Sequence, residues 1–230
     1  MFRKSYGIIN FSNNCYLNVV IQIFLCHDKT FEIIKKYLEI DNNIINPRKL
    51  LLKLSDKINI RIQNDSQEVF ILILDLIPEL QKYYNNVIIN NYTCLVCNKS
   101  RNIKDTFSTF YIHSNSLENS IKNLVKNENF NLECDSCKLT TNTSKVCNIK
   151  NLGEILIFYN ILKNKLKISE NITYGNNKYK LTGLIKHYGS SSHGHYIYID
   201  YINKLKIDDA DISQINNISL SDIYLLFYTL

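Results

Sequence analysis

Apolar residues in the first third of the chain recur at spacings of three and four, which is typical of helices. The segment CYLNVVIQIFLC, Cys15 to Cys26, is apolar on most faces and predicts a buried helix that begins at the cysteine. Asn13 and Asn14 stand just before it, and asparagine is a residue type that caps helix N-termini. Residues 31–38 and 47–58 have the same spacing, so the sequence predicts a helical first part.

The segment DSQEVFILILDLI, residues 65–77, predicts a further helix opened by Asp65, with Glu68 three residues later as in a capping box. After about residue 86 the pattern changes to the alternation of strands, with one short helix predicted at 117–126. The strand-like segments, rich in Ile, Leu and Tyr, are 104–113, 155–162, 179–188, 195–202 and 223–230. Helices first and antiparallel strands afterwards predict an α+β fold.

Length and composition are those of a globular protein. The chain has 230 residues, of which 45% are hydrophobic and 21% charged, so it can bury a core and is not wholly disordered. It contains no run of about 18 apolar residues, so we expect no membrane-spanning helix and no membrane partner. Because no Pro-, Gly- or Ser-rich linker divides the chain, we expect a single domain over residues 1–230.

Charge and cysteine content indicate which partners and which cellular compartment to expect. The net charge is +6, but the basic residues are scattered, so nucleic-acid binding is only weakly suggested and we expect no such partner. Seven cysteines are an odd number, and the N-terminus is too polar for a secretory signal. We therefore expect a reducing compartment, the cytoplasm or the nucleus, where cysteines serve as ligands, nucleophiles or buried apolar groups.

Cys15 is a candidate nucleophile, because a helix N-terminus lowers the pKa of a thiol and favours the reactive thiolate. It would need a histidine as base and a third group to orient that histidine. His195 follows a Gly/Ser loop and opens a strand, and the pair Asp208 and Asp209 comes about one hairpin later. A turn near Asn203 would bring carboxylate and imidazole together. From spacing alone, the favoured interpretation is the simpler one, a buried apolar cysteine and an ordinary strand histidine.

Four segments, in order along the chain, resemble the sequence boxes of one family of cysteine proteases. The first, GIINFSNNCYLNVVIQ, resembles the cysteine box and matches it at Gly7, Asn10, Asn13, Cys15, Tyr16, Asn18 and Gln22. QNDSQEVFILILDLI resembles the Gln-Gln-Asp-Ala-Gln-Glu-Phe helix, and YKLTGLIKHYGSSSHGHYIYI resembles the histidine box. DIYLLFYTL resembles the closing Ala-Tyr-x-Leu-Phe-Tyr strand, so the resemblance spans nearly the whole chain. The family that these four segments resemble is that of the ubiquitin-specific proteases.

The resemblance implies a papain-like cysteine protease with a helical thumb (1–85), zinc-braced β fingers (86–147) and an antiparallel β palm (148–230). It implies a deubiquitinase, which hydrolyses the bond after the C-terminal glycine of ubiquitin, usually an isopeptide bond to lysine. Ubiquitin and ubiquitinated proteins would be its partners, and we expect a monomer.

By position, the resemblance makes Cys15 the nucleophile and His195 the base, with Asp208 orienting the imidazole and Asp209 as the alternative. Asn10 matches the residue whose amide stabilises the oxyanion, with the backbone N–H of Cys15 as a second donor. The reaction would pass through an acyl-thioester, which a water activated by His195 would hydrolyse.

Three further residues match substrate-binding positions of that family. Asp65 and Glu68 match acidic residues that face the basic C-terminal tail of ubiquitin, and at i and i+3 they share one helix face. Tyr196 resembles an aromatic residue that lines the narrow channel for the Gly-Gly end. Helix capping and an ordinary strand tyrosine remain open as simpler interpretations.

The chain departs from the family pattern next to the nucleophile. Ser12 replaces a glycine and Asn14 replaces a threonine, and Ser12 would strain the turn if that position needs a positive φ. These departures keep two alternatives open. One is a catalytically weak ubiquitin-binding module of the same fold, and the other is a protease for a ubiquitin-like modifier.

Four cysteines in the middle form two CxxC pairs, Cys94 with Cys97 and Cys134 with Cys137. Two such knuckles supply four thiolates for one structural Zn²⁺. Residues 98–133 separate them, more than in a compact zinc ribbon, so we expect each knuckle at the tip of its own hairpin. Two alternatives to this structural zinc site stay open. The cysteines could belong to a zinc ribbon that binds nucleic acid, or they could carry no metal.

Overall fold

The first part of the chain is helical, with a three-stranded sheet beside the helices. The computed structural model describes residues 5–113, 115–161, 165–190 and 193–230. The elements of the first part are β1 (Gly7–Ile8), α1 (Cys15–Leu25), α2 (Asp28–Ile34), β2 (Glu39–Asp41), β3 (Ile44–Asn46), α3 (Arg48–Leu54), α4 (Ser66–Leu76) and α5 (Gln81–Tyr84).

Helices α1 and α4 begin where the sequence predicts them. The Asp65 side chain caps α4 by accepting the backbone N–H groups of Gln67 at 2.7 Å and Glu68 at 3.2 Å. The predicted cap of α1 is wrong. Asn14 occupies the N-cap position, but no side chain caps this helix. Oδ1 of Asn14 accepts the backbone N–H of Phe11 at 2.6 Å instead.

The middle of the chain forms a four-stranded antiparallel sheet in the order β5-β4-β8-β7, which we call the finger sheet. Each CxxC pair lies at the turn of its own hairpin, β4–β5 or β7–β8, as expected from the spacing. The elements from here are β4 (Asn86–Cys94), β5 (Ser100–Phe107), β6 (Thr109–Tyr111), α6 (Leu117–Leu124), β7 (Glu128–Glu133) and β8 (Thr140–Asn151).

The last part of the chain forms an eight-stranded sheet, the palm sheet, in the order β14-β13-β12-β11-β15-β9-β6, with β10 paired to β11. Strand β6 joins it by parallel pairing with β9, although β6 lies in the middle of the sequence. The other strands are β9 (Ile155–Tyr159), β10 (Asn171–Tyr174), β11 (Asn177–Gly189), β12 (Gly194–Asp200), β13 (Leu205–Asp208), β14 (Asp211–Gln214) and β15 (Ile223–Thr229). Residue 162, the end of one predicted strand, lies outside the described residues.

The palm sheet has an apolar core on each face. On one face, side chains of β9, β12 and β15 pack with those of α1 and α4 into a single cluster that includes Cys15. On the other face, a second cluster covers the sheet with residues of α6. This packing fixes the N-terminal end of α1 beside β12, which brings the cysteine box and the histidine box together.

No helix in the described ranges is both long enough and apolar enough to cross a membrane.

Candidate active site

His195 and Asp208 face each other across a β-hairpin. Strand β12 pairs antiparallel with β13 in the register Tyr198↔Ile207, and the chain turns between them at residues 201–204. Nε2 of His195 lies 2.6 Å from Oδ1 of Asp208. This is the hairpin that the sequence predicts. Since Asp208 engages Nε2, the other ring nitrogen, Nδ1, remains to act on a nucleophile.

The neighbouring Asp209 points elsewhere. Its backbone is left-handed, with a φ of 52°, which turns its carboxylate away from the direction of Asp208. Oδ2 of Asp209 accepts the side-chain N–H of Asn10 at 2.7 Å, and Oδ1 accepts that of Asn18 at 2.7 Å. The geometry therefore pairs Asp208 with the imidazole, while Asp209 holds the amide of Asn10.

Cys15 is the first residue of α1, and only 3% of it is exposed. Burial raises the pKa of its thiol, and the charge of Asp209 raises it further. The backbone N–H of Tyr196 and the amide of Gln63 only partly oppose this rise. The low thiol pKa expected from the helix N-terminus is therefore wrong for this arrangement, because burial of a thiolate outweighs the favourable dipole. Among the described contacts, no hydrogen bond joins Cys15 directly to His195.

Gln63 connects the two sides of the site, and the sequence reasoning missed it. Its Oε1 accepts the backbone N–H of Gly194 at 2.8 Å, and its Nε2 donates to the carbonyl of the same residue. The same Nε2 lies 3.7 Å from Sγ of Cys15. One amide thus holds both backbone groups of Gly194, the residue before His195, and also contacts the thiol. The available signal was its place as the first residue of the QNDSQEV segment.

Gly194 itself permits this close approach. A Cβ at that position would meet Nε2 of His187 at 2.3 Å and the carbonyl of Tyr188 at 2.5 Å. A larger residue would displace the start of β12 and His195 with it.

The loop that carries Asn10 is held by asparagine side chains. Oδ1 of Asn10 accepts the N–H groups of Ser12 at 3.0 Å and Asn14 at 3.2 Å. Nδ2 of Asn14 donates to the carbonyl of Ile9 at 3.0 Å and to Oδ1 of Asn18 at 2.8 Å. The φ of Ser12 is 158°, next to the extended region, so the left-handed strain expected of a serine here is absent. Both departures from the family pattern are accommodated.

The predicted substrate residues lie at the start of α4, in the case of Asp65 and Glu68, and on β12 of the palm sheet, in the case of Tyr196. Asp65, besides capping α4, accepts a hydrogen bond from the hydroxyl of Tyr224. Glu68 is exposed on the same helix. Tyr196 is only 4% exposed and packs between His187, with ring centroids 4.2 Å apart, and Tyr224, at 5.4 Å. Its contribution to a channel wall would therefore come from a small part of its ring.

The four cysteines of the finger sheet form a compact sulfur cluster. All four Sγ atoms lie within 4.8 Å of one another, with Cys94 and Cys137 at 4.0 Å and Cys97 and Cys134 at 3.6 Å. Tetrahedral Zn²⁺ with bonds of about 2.3 Å places its sulfurs roughly 3.8 Å apart, so the cluster fits this ion. Backbone N–H groups of Cys137 and Ser136 point at Cys134 and lower its pKa to about 6. The backbone N–H of Lys99 also lowers the pKa of Cys97, but desolvation and the neighbouring thiols outweigh it and raise that pKa to about 11. The cluster therefore favours a thiolate at Cys134, and binding of zinc would release the protons of the other thiols. The set can hold zinc, as the sequence predicts.

A family model described as "Ubiquitin carboxyl-terminal hydrolase" matches residues 28–228. The chain belongs to this family. The predictions of a papain-like α+β fold, of a cysteine-type ubiquitin hydrolase and of deubiquitinase function are thereby confirmed. The matched segment includes His195 and Asp208 and begins after Cys15, so the place of Cys15 in the hydrolase rests on the geometry above.

Solved structures share the fold of the hydrolase. One is titled as the SAGA DUB module of Ubp8, Sgf11, Sus1 and Sgf73 bound to monoubiquitin, with a TM-score of 0.77 and 17% identity. Another is the Ubp8/Sgf11/Sus1/Sgf73 module bound to ubiquitin aldehyde, with a TM-score of 0.76 and 18% identity. Each alignment covers 100% of this chain and 70% of the other. No curated protein matches the chain.

Proposed function

We propose that the hydrolase cleaves the isopeptide or peptide bond after the C-terminal glycine of ubiquitin, through an acyl-thioester on Cys15. The observation that carries the proposal is the His195–Asp208 pair, 2.6 Å apart, on the strand packed against the helix that Cys15 begins. The similar structures titled as ubiquitin complexes support ubiquitin as the substrate.

In this proposal, His195 removes the thiol proton when substrate brings the two side chains into contact. The resting thiol is protonated because burial raises its pKa, so a neutral imidazole must act as general base. Attack of Sγ on the carbonyl carbon forms an oxyanion. His195 then donates the proton to the leaving lysine amine and later activates the water that hydrolyses the thioester.

Asn10 and the backbone N–H of Cys15 would stabilise the oxyanion. Asn10 donates one amide N–H to Asp209, and an amide nitrogen has a second N–H to offer. Because its oxygen is also held by the N–H groups of Ser12 and Asn14, the amide is fixed before substrate arrives. A fixed donor of this kind is worth about 3 kcal/mol in the transition state.

The remaining proposals concern substrate binding, domain organisation, oligomeric state and cellular location. Asp65 and Glu68 would bind a basic residue of the ubiquitin tail, Tyr196 would line the channel, and the zinc-braced finger sheet would hold the globular part of ubiquitin. We propose that residues 1–230 act as one catalytic domain and as a monomer in the cytoplasm or the nucleus, without a nucleic-acid or membrane partner.

A catalytically weak ubiquitin-binding module is the second candidate. The observation in its favour is the absence of a direct hydrogen bond between Cys15 and His195 among the described contacts. Against it stand the intact His195–Asp208 pair and the ordered Asn10 loop.

A ubiquitin probe with an electrophile at its C-terminus tests the proposal, with adducts measured by intact mass. The native chain and Cys26→Ala, altered at the other end of α1, should gain one ubiquitin each, while Cys15→Ala should gain none. Binding of ubiquitin without any adduct would favour the weak module. Reaction with a probe built on a ubiquitin-like modifier alone would redirect the substrate assignment.

A further inference from the structure

Lys206 lies on β13 two residues before Asp208, so both side chains extend from the same face of the strand. Its Nζ lies 2.8 Å from Oδ2 of Asp208, while the other oxygen, Oδ1, lies 2.6 Å from Nε2 of His195. The two oxygens of one carboxylate therefore have one cationic and one imidazole partner.

We propose that Lys206 is a positioning residue for the proposed hydrolysis: by holding Oδ2, it fixes the rotation of the Asp208 carboxylate and so directs Oδ1 at His195. The inference rests on the proposed function, since a carboxylate that orients the base is useful only to a catalytic histidine.

Asp208 needs such a partner because little else restrains it. Among the described residues, the contacts of its carboxylate are His195 and Lys206, and 30% of the side chain is exposed. Asp209, by contrast, is restrained by the side-chain amides of Asn10 and Asn18. A carboxylate attached by a freely rotating terminal bond can turn either oxygen to either side unless a second contact holds it.

Lys206 is itself well placed to restrain a neighbour. Its backbone pairs with Ile199 of β12 and with Ser213 of β14, so the strand cannot shift. Its side chain lines a cleft of about 360 Å³ together with Ile197 and Ile199. The methylene groups can cover these apolar neighbours while the ammonium reaches Asp208.

Electrostatics agree with the geometry. Partial burial alone would raise the pKa of Asp208, but the hydrogen bonds from Lys206 and His195 outweigh it and hold that pKa below its usual value. The hydrogen bond to Asp208 in turn raises the pKa of Lys206, and the charges of Tyr188 and Asp211 add to this rise.

Two other charged groups face the pair. A carboxylate oxygen of Asp209 lies within 4.8 Å of a carboxylate oxygen of Asp208 and of a ring nitrogen of His195. The Asp209 carboxylate is held by the side-chain amides of Asn10 and Asn18. Lys186 of β11 lines the same cleft without an ion pair to Asp208. Among the described residues, Lys206 is therefore the lysine or arginine that contacts the carboxylate of Asp208.

Kinetics of three variants test the role, with a fluorogenic ubiquitin substrate over a range of pH. For Lys206→Met we expect kcat to fall by about 10- to 100-fold with KM within about twofold, the size of effect that a misplaced catalytic group produces. Because Asp208 then protonates at higher pH, activity on the acid side should also be lost at higher pH. Lys206→Arg should restore most of both properties, and Lys204→Met, which removes an exposed lysine of the same hairpin, should behave as native.

A second measurement does not depend on turnover. The ¹³C resonance of the Asp208 carboxyl, followed by NMR against pH, should titrate at higher pH in Lys206→Met than in the native chain and in Lys206→Arg. If the native chain shows no turnover, the proposed function fails, while this titration still reports whether Lys206 holds Asp208. An unchanged titration together with native kcat in Lys206→Met would overturn the inference. Equal loss of kcat in both Lys206 variants with no shift on the acid side would overturn it too, by showing a merely structural role.

Discussion

At the residue scale, Asp65 combines a capping role that the structure shows with a recognition role that we propose. Its Oδ1 accepts two backbone N–H groups at the start of α4, and its Oδ2 accepts the hydroxyl of Tyr224. A carboxylate has about four lone-pair positions, so capacity remains for a guanidinium from a substrate. Capping, which the structure shows, and binding of the ubiquitin tail, which we propose, are therefore compatible.

Two substitutions separate these roles. Asp65→Asn keeps an oxygen that can cap, so its free energy of unfolding should stay within about 0.5 kcal/mol of native, whereas Asp65→Ala should lose about 1 kcal/mol. Both should raise KM for ubiquitin substrates by about tenfold or more, because a charge-assisted hydrogen bond is lost. Glu68→Gln, on the exposed side of the helix, should raise KM without a change in stability. Chemical denaturation and steady-state kinetics provide the two readouts, and an unaltered KM in Asp65→Asn would leave Asp65 with capping alone.

At the scale of elements, the finger sheet is the part that side-chain packing supports least. Strand β5 is exposed from Ser100 to Thr106, and β7 is exposed apart from Leu132. A sheet with so little buried apolar area depends on other constraints, and the cysteine cluster at its tip can supply one.

Metal removal should therefore loosen this sheet selectively. We expect one zinc per chain by elemental analysis in the native protein and in Cys26→Ser, and none in Cys97→Ser. Hydrogen exchange in β7 and β8 should become much faster in Cys97→Ser, while β11 and β15 of the palm sheet keep their protection. Equal protection of β7 in both variants would show that the sheet stands without metal.

The finger sheet is also the part of the fold that is hardest to predict from the sequence. Helices α1 and α4 and the palm strands β9, β11, β12 and β15 carry clear apolar periods, and these predictions agree with the structure. Strand β4 is not among the strands that the sequence predicts, because asparagines interrupt its apolar pattern. In the structure these asparagines bond across the strands, Asn90 to Asp105 at 2.6 Å and Asn91 to Asn102 at 2.9 Å. Polar ladders of this kind leave no alternation of apolar and polar residues to detect.

In the candidate active site, the hairpin of His195 and Asp208 was predictable from its turn. Gln63 was missed because a long polar side chain can reach many partners.

At the scale of the whole molecule, helices α1 to α5, which we call the thumb, share one core with the palm sheet. Phe24 of α1 is fully buried and packs on Phe70 and Tyr84, with ring centroids 5.8 Å and 5.6 Å away. The same cluster continues into Ile157 and Phe227 of the palm sheet. The position of Cys15 relative to His195 therefore depends on packing far from either residue.

Phe24→Ala should cost about 3–5 kcal/mol of unfolding free energy, since it removes a fully buried ring from a closely packed core. Because the core is shared, thumb and palm should unfold together in one transition when followed by urea titration. Leu52→Ala, at a side chain that is 56% exposed, should change stability by less than about 0.5 kcal/mol. Separate transitions for helices and strands would contradict the shared core.

The burial of Cys15 has a consequence for how the protein meets reactive chemicals. Oxidants and alkylating agents attack thiolates, and a protonated sulfur that is 3% exposed offers them little to attack. Iodoacetamide at neutral pH should therefore label Cys15 more slowly than the partly exposed Cys26, while a ubiquitin-borne electrophile labels Cys15 alone. Faster labelling of Cys15 by the small reagent would show that the sulfur is ionised at rest. Oxidants should therefore modify Cys15 slowly, and an effective inhibitor would have to imitate the ubiquitin tail before its warhead could react.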